Sequence, residues 1–470
     1  RLRSKIVDVS GYLIAENKEV LSACCSPSCT LTKEFLDYIN DNYGVTQERV
    51  MRSKGKHFCF IKRMLSQKEE NDIKDKDFKE VFYIKEFERV YPYKFLMPVI
   101  GVVDIDSNGI SGLEYYIDNI YQNLCFSDNS SYREFFDTNI DVGLSYKVYK
   151  IIKAACEVNH SEFAMGVVMD PSDGRILSMV QYPVSESSDL NNYYFRFSKP
   201  LAITEAYEMG SVIKAFCMLA AIDEKVVSPD EIIDCKNTKH VKIRGFDVNT
   251  WKANGEIPFK EVVKNSNNIG IVQVAMRLDK KLYDHYKKMG FESKAGIDLP
   301  GEAYGFMTPL NEWSLQTILS FSYGYEVSTT LMQLVRAWSL FTNNGKIIAP
   351  RLLKMTNKYE TSEVYSADSI NKARDILKYP EERIPKIYRF NFENIDLYGK
   401  TGTANILEGG VYQKDKNTFC FVGHIESGSW KRIIGVFINR SSAKKAYANT
   451  IAYPIFLKIA NELIVRKAME

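Results

Sequence analysis

Ser211 and Lys214 stand three residues apart in Ser211-Val212-Ile213-Lys214. On a helix that spacing puts both side chains on one face, where they can meet. A serine hydroxyl needs a base to become a nucleophile, and a lysine serves when burial depresses its pKa. The chemistry indicated is acyl transfer through a serine ester. Two other serine signatures are missing. There is no G-x-S-x-G elbow, and none of the five histidines (His57, His160, His240, His285, His424) stands in a recognisable triad context.

S-x-x-K alone is weak, because this chain has five copies, starting at Ser53, Ser211, Ser369, Ser441 and Ser442. Context separates them. Ser53-Lys54-Gly55-Lys56 lies in a basic stretch with a glycine, and the three later copies are flanked by charged and polar residues. Only Lys214 sits among Ile213, Ala215 and Phe216, where a charged ammonium is costly unless paired or neutralised. Ser211 also falls in the first turn, where free N–H groups and the positive helix end favour a developing oxyanion.

Two further motifs follow in order. Ser266-Asn267-Asn268 gives S-x-N after Ser211; the decoys are Ser127-Asp128-Asn129 and Ser369-Ile370-Asn371. Lys400-Thr401-Gly402 is the only K-[ST]-G, within the strand-like run Leu397–Ala404. Ser266 can relay a proton to a leaving amine, and Asn268 can hold a substrate amide. Lys400 supplies positive charge near Ser266, and the hydroxyls of Thr401 and Thr403 can bind a carboxylate. Gly402 lets an extended peptide approach the strand. Each motif alone has a plainer reading, with Gly402 as a bulge and Ser266 as a helix cap. In this order the trio is the set associated with penicillin-binding proteins and class A β-lactamases.

The elements that must position these groups read as α+β. Phe163–Met169 and Arg175–Val180 are apolar runs joined by the turn residues Asp170-Pro171-Ser172-Asp173-Gly174. The helix from Ser211 to Ile222 is apolar on nearly every face and belongs in the core. Ile395–Ile406, Thr418–His424 and Ile433–Ile438 read as strands, and a helix from about Ala443 to Lys467 closes the chain. Hairpin, helices, strands and a last helix predict helices packed on an antiparallel sheet. Residues 1–140 read as a separate mixed α/β domain, with β-like runs such as Val99–Val103 and charged helical stretches such as 66–89. The polar, turn-rich run Asp128–Asp141 sets the boundary, leaving 141–470 as the catalytic domain.

At 470 residues the chain is long enough for two or three domains. Its net charge of +3, with 45% hydrophobic and 26% charged residues, fits a folded soluble protein and argues against nucleic acid as a partner. Nine cysteines form no C-x-x-C pair, and Cys24, Cys25 and Cys29 cluster without a histidine motif. They read as mostly buried apolar thiols rather than a zinc site, and the trio calls for no metal or cofactor. No apolar run is long enough to span a membrane. The chain starts at Arg1 rather than Met, as expected of a processed or trimmed product whose upstream anchor or signal is not included.

Taken together, the chain resembles a class B penicillin-binding protein along nearly its whole length. Arg3-x-x-Ile6-x-Asp8-x-x-Gly11-x-x-Ile14-Ala15 resembles the segment after that family's membrane anchor. Arg89-Val90-Tyr91-Pro92, Gly101 and Gly109–Tyr115 resemble its non-catalytic pedestal. Val167–Pro171, Gly174–Met179, Tyr207–Ser211, Gly296–Glu302 and Lys400–Ala404 resemble its transpeptidase domain. Met209 and Ala215 replace two prolines usual around the nucleophile. The resemblance implies a peptidoglycan D,D-transpeptidase on the periplasmic face of the bacterial inner membrane, held by a single N-terminal anchor. Ser211 would be acylated by a stem peptide of the lipid-linked precursor or by β-lactams. The oxyanion would lie between the N–H groups of Ser211 and Thr403. Lys56–Ser66, an aromatic run containing Lys62-Arg63, is similar to the septal branch. That branch implies a SEDS-type glycosyltransferase and division-complex proteins as partners. The alternatives are an elongation-specific transpeptidase, a D,D-carboxypeptidase or β-lactamase, and, outside enzymes, a β-lactam receptor or a division scaffold.

Overall fold

The structure is a computed structural model that describes residues 2–53, 55–121, 134–185, 196–354, 361–389, 391–409, 411–441 and 447–469. The decoy Ser127-Asp128-Asn129, most of the polar run from Asp128, and the S-x-x-K copy at Ser442 lie outside the described residues.

Residues up to Asp137 build a pedestal sheet from β1 (Lys5–Val7), β2 (Leu13–Cys25), β3 (Cys59–Lys62), β4 (Val81–Val90) and β5 (Phe135–Asp137). Its order is β3-β2-β1-β5, with β4 also paired to β2 and β1 parallel to β5. Two helices, α1 (Lys33–Tyr43) and α2 (Gln47–Arg52), cover a small apolar cluster that includes Cys25, Phe35, Ile39, Val50 and Cys59. The same domain holds a buried charge group. Glu114 accepts from Arg3 Nη2 at 2.5 Å and Arg89 Nε at 2.7 Å, so the charges are paired where water cannot reach them.

Two expectations fail here. The run Val99–Val103 is not a strand. Met97–Ile100 is a short helix that starts with Pro98 in its first turn and stops at Gly101, whose φ is +80°. The stretch 66–89 is helical only over Gln67–Lys74, where Ser66 and Glu69 form a capping box. Its second half is β4, because Val81-Phe82-Tyr83-Ile84 favours a pleated surface and pairs residue for residue with β2 from Cys25 back to Glu16.

The second sheet is fully antiparallel, in the order β8-β9-β10-β6-β7. Its strands are β6 (Phe163–Met169), β7 (Ile176–Tyr182), β8 (Asp396–Glu408), β9 (Val411–Ser427) and β10 (Trp430–Ser441). Every residue of β6 is buried, which requires cover on both faces. Two glycines show that cover. A Cβ on Gly166 would meet Val148 of α4 (Val142–Val158), whereas one on Gly435 would meet Val335 of the helix Leu331–Trp338. Gly166 pairs with Val436, so Gly166 and Gly435 look to opposite faces. Helices therefore sandwich the sheet, as expected for the fold class. The closing helix is shorter than predicted, Ala452–Met469, and residues 442–446 lie outside those described.

We propose Asp141 as the boundary between the two sheets. It caps α4 by accepting from Leu144 N at 2.7 Å and pairs with Arg466 at 2.6 Å. The main apolar core nevertheless crosses it, joining Ile6, Leu113 and Ile140 to Val148 and Ile459. The pedestal is thus packed onto the second sheet's helices over a shared interior.

Candidate active site

Ser211 lies in a single 3-10 turn, Gly210–Val212, that runs into α5 (Ile213–Asp223). Residues Ile213–Ile222 of α5 are all buried, because the helix passes through the centre of the core. That burial carries Lys214 inside with it, at 0% exposure. Ser266 comes from the joint between α6 (Phe259–Lys264) and α7 (Asn268–Leu278). Asn267, not Ser266, caps α7, through Gly270 N at 3.0 Å. Ser266 instead holds a left-handed backbone, φ +53°. A non-glycine residue there is strained, and such strain is typical of functional sites.

Four polar atoms of the first two motifs converge on Lys214 Nζ. It lies 3.0 Å from Ser211 Oγ, 3.1 Å from Ser266 Oγ and 2.8 Å from the Ser266 carbonyl oxygen, and it donates to Asn268 Oδ1. Asn268 Nδ2 donates to Asn249 O at 2.6 Å, which fixes its oxygen toward the lysine. Lys400 completes the site, with Nζ 3.1 Å from Ser266 Oγ and 3.2 Å from Thr401 O. The Ser266 hydroxyl therefore bridges the two lysines.

Burial, and then the nearby charge of Lys400, hold Lys214 well below the usual lysine range. Burial, with Arg383 adding to it, lowers Lys400 to about 7. A neutral amine has two N–H bonds and one lone pair. The Ser266 carbonyl and Asn268 Oδ1 can only accept, so they take the two N–H bonds. The lone pair is left for a hydroxyl hydrogen, with Ser211 Oγ at 3.0 Å and Ser266 Oγ at 3.1 Å both within reach. That is the arrangement a general base requires.

Strand β8 passes directly over the turn that carries Ser211. A Cβ on Gly402 would come within 2.1 Å of Met209 O and 2.7 Å of Val212 Cγ2. Gly210 is the reciprocal contact, with φ +55° and a virtual Cβ 2.3 Å from Thr403 O. Gly402 is regularly paired with Cys420, and the β8–β9 bulge lies further on, at Asn405/Ile406. Gly402 is therefore no bulge, and its missing Cβ is what lets the strand and the Ser211 turn touch. Strand β8 is an edge strand, and Thr401 and Thr403 are half-buried on it. The Thr403 hydroxyl accepts from Ala448 N at 3.1 Å and keeps its own hydrogen to donate.

The decoys do not assemble. Ser53 caps the end of α2. Ser369 donates to Asp223 at 2.8 Å while Lys372 pairs with Asp368 at the surface. No histidine joins the site among the described residues. His424 is buried and stacked on Tyr398 at 4.5 Å, accepts from Trp338 Nε1 at 3.0 Å, and is lowered to about 4 chiefly by burial. Among the described residues no group of His, Cys, Asp and Glu is arranged to hold a metal, and no helix is long and apolar enough to cross a membrane. Asn249 and Arg383 escaped the sequence reading. Neither belongs to a motif, and only the tertiary fold brings them to Asn268 and Lys400.

The sheet with helices on both faces, and a buried helix delivering its first turn beneath an edge strand, is the fold of the penicillin-recognising serine transpeptidases and β-lactamases. Residues 164–461, well over half of the chain, match the family profile described as Penicillin binding protein transpeptidase domain, and the chain belongs to that family. It is 26% identical over 505 aligned residues to Stage V sporulation protein D of Bacillus subtilis, covering 96% of this chain and 76% of that one. It is 23% identical to the peptidoglycan D,D-transpeptidase FtsI of Buchnera aphidicola, covering 98% and 86%. The crystal structure of penicillin-binding protein 3 from Mycobacterium tuberculosis, complexed with aztreonam, superposes with a TM-score of 0.74 at 21% identity. That match covers 99% of this chain and 96% of the other, so the likeness of fold takes in the pedestal.

Proposed function

We propose that the chain is a peptidoglycan D,D-transpeptidase in which Ser211 is the nucleophile and Lys214 its base. The observation that carries this reading is the setting of Lys214, whose buried Nζ lies 3.0 Å from Ser211 Oγ while the Ser266 carbonyl and Asn268 Oδ1 accept from it. Ser211 Oγ attacks the carbonyl of the penultimate D-Ala of a stem peptide, and its proton passes to Lys214. The oxyanion is held between the N–H groups of Ser211 and Thr403. Collapse breaks the peptide bond, and Ser266, bridging Lys214 and Lys400, returns a proton to the departing D-Ala amine. The amine of a second stem peptide then attacks the ester, restoring Ser211 and forming the cross-link. Lys400, Thr401 and Thr403 take the substrate's terminal carboxylate, and Gly402 keeps β8 in register over the nucleophile. Asn268 orients Lys214 in the free site and turns its amide to the substrate on binding. β-Lactams present the same carboxylate and a strained amide, and stop at the ester.

Two features support a septal role, on the periplasmic face of the inner membrane, with a SEDS-type glycosyltransferase and division-complex proteins as partners. One is the similarity to FtsI. Another is the run Lys56–Ser66, which supplies β3 and the cap of α3 (Gln67–Lys74) in the pedestal. Incubating the purified chain with a pentapeptide donor and an amine acceptor should release D-Ala and form the cross-linked product. Release of D-Ala with only the free tetrapeptide would make it a carboxypeptidase. Depleting the protein in its host should block septation while growth continues; rounded cells that still divide would assign it to elongation instead.

A further inference from the structure

In the pedestal, strands β2 and β3 pair so that Cys25 stands directly opposite Cys59. Opposed residues in an antiparallel ladder share one face, with Cα atoms roughly 4.5–5.5 Å apart. That separation falls inside the window a disulfide needs. Both thiols are buried in the small cluster beneath α1 and α2, where Cys59 Sγ donates to Phe60 O at 3.7 Å. Both are free thiols. Cys24 is the next residue along β2, but strand alternation turns it to the other face, opposite Phe60. Cys29 is exposed in the turn after β2, where its N–H donates to Ser26 O at 3.2 Å.

We propose that Cys25 and Cys59 form a disulfide that closes the arm between them, residues 26–58 with α1 and α2, onto the pedestal sheet. This inference does not depend on the transpeptidase reading. The link forms by exchange with an external disulfide, R–S–S–R. The thiolate of one cysteine attacks, forming a mixed disulfide and releasing one RS⁻, which is protonated. The second thiolate displaces the other RS⁻, so both cysteine sulfurs are oxidised and the oxidant leaves as two thiols carrying the two protons. Burial, more than the neighbouring Cys59, pushes the Cys25 thiol up to about 12, so the exchange quickens as pH rises.

The test uses the purified full chain, incubated with oxidised glutathione, quenched in denaturant with N-ethylmaleimide and digested without reduction. The expected result is one unlabelled peptide pair joining Cys25 to Cys59, with the other cysteines labelled. Cys29→Ser should form the same link, and Cys59→Ala should not. The oxidised chain should unfold a few degrees above the reduced one. Cys25 joined to Cys24 or Cys29, or Cys25 and Cys59 both labelled after oxidation at raised pH, would overturn the proposal.

Discussion

Gly402 passes so close to Met209 that a Cβ on it would lie 2.1 Å from the Met209 carbonyl oxygen. The third motif is therefore locked to the first by backbone contact, and not only by their shared substrate. Gly402→Ala must push β8 off the nucleophile turn. A shift of about 1 Å is enough to cost on the order of 100-fold in acylation. Stopped-flow acylation by a chromogenic β-lactam checks this, with circular dichroism to establish that the variant is folded. A variant that is folded and fully active would show that the contact does not set the geometry.

Lys214→Arg should acylate at least ~100-fold more slowly, in the range for losing a general base. Arginine keeps the charge but cannot give up its proton, so a merely electrostatic role would survive the change. Near-normal acylation by this variant would remove Lys214 from the proton path.

Two lysines with opposite needs predict a bell-shaped pH profile. Lys214 must be neutral, so acylation falls when acid protonates it. Lys400 must be charged to hold a carboxylate, and at about 7 it loses that charge as pH rises. Lys400→Arg stays protonated and should lose the alkaline limb whatever its absolute rate. The same group affects stability. Its folded pKa of about 7 lies below the ordinary 10.5, so the unfolded chain binds more protons between those values. This group's contribution should therefore make the protein more stable as pH rises through that window. Denaturant melts across the window measure it.

Ser266 separates strain from chemistry. Ser266→Ala and Ser266→Gly both remove the hydroxyl that bridges Lys214 and Lys400, and both should slow acylation, on the order of 100-fold. Only glycine relieves the left-handed backbone at φ +53°. The glycine variant should be more stable than the alanine variant by about 1 kcal/mol. Equal stabilities would mean that the backbone carries no strain.

The catalytic half was the more legible in sequence, for a physical reason. A helix apolar on every face can only be internal, so Lys214 among Ile213, Ala215 and Phe216 marked itself. The strand Phe163–Met169 was bounded by unmistakable turn residues. The pedestal was harder to read. Val99–Val103 is apolar and short, and periodicity cannot separate a buried turn of helix from a strand at that length. Within 66–89 the charged residues suggested one long helix, while pairing with β2 drew Val81–Val90 into a sheet. The contact of Gly402 with Met209 could not be read from the sequence, because the two residues are remote in the chain. Asn249 and Arg383 were invisible for the same reason.

The most direct measurement is the intact mass of the chain after treatment with penicillin, followed by mapping of the adduct. One penicillin should be added per chain, carried on Ser211, and none on a Ser211→Ala variant that still folds. An adduct on Ser266, or an adduct that persists in that variant, would contradict this assignment.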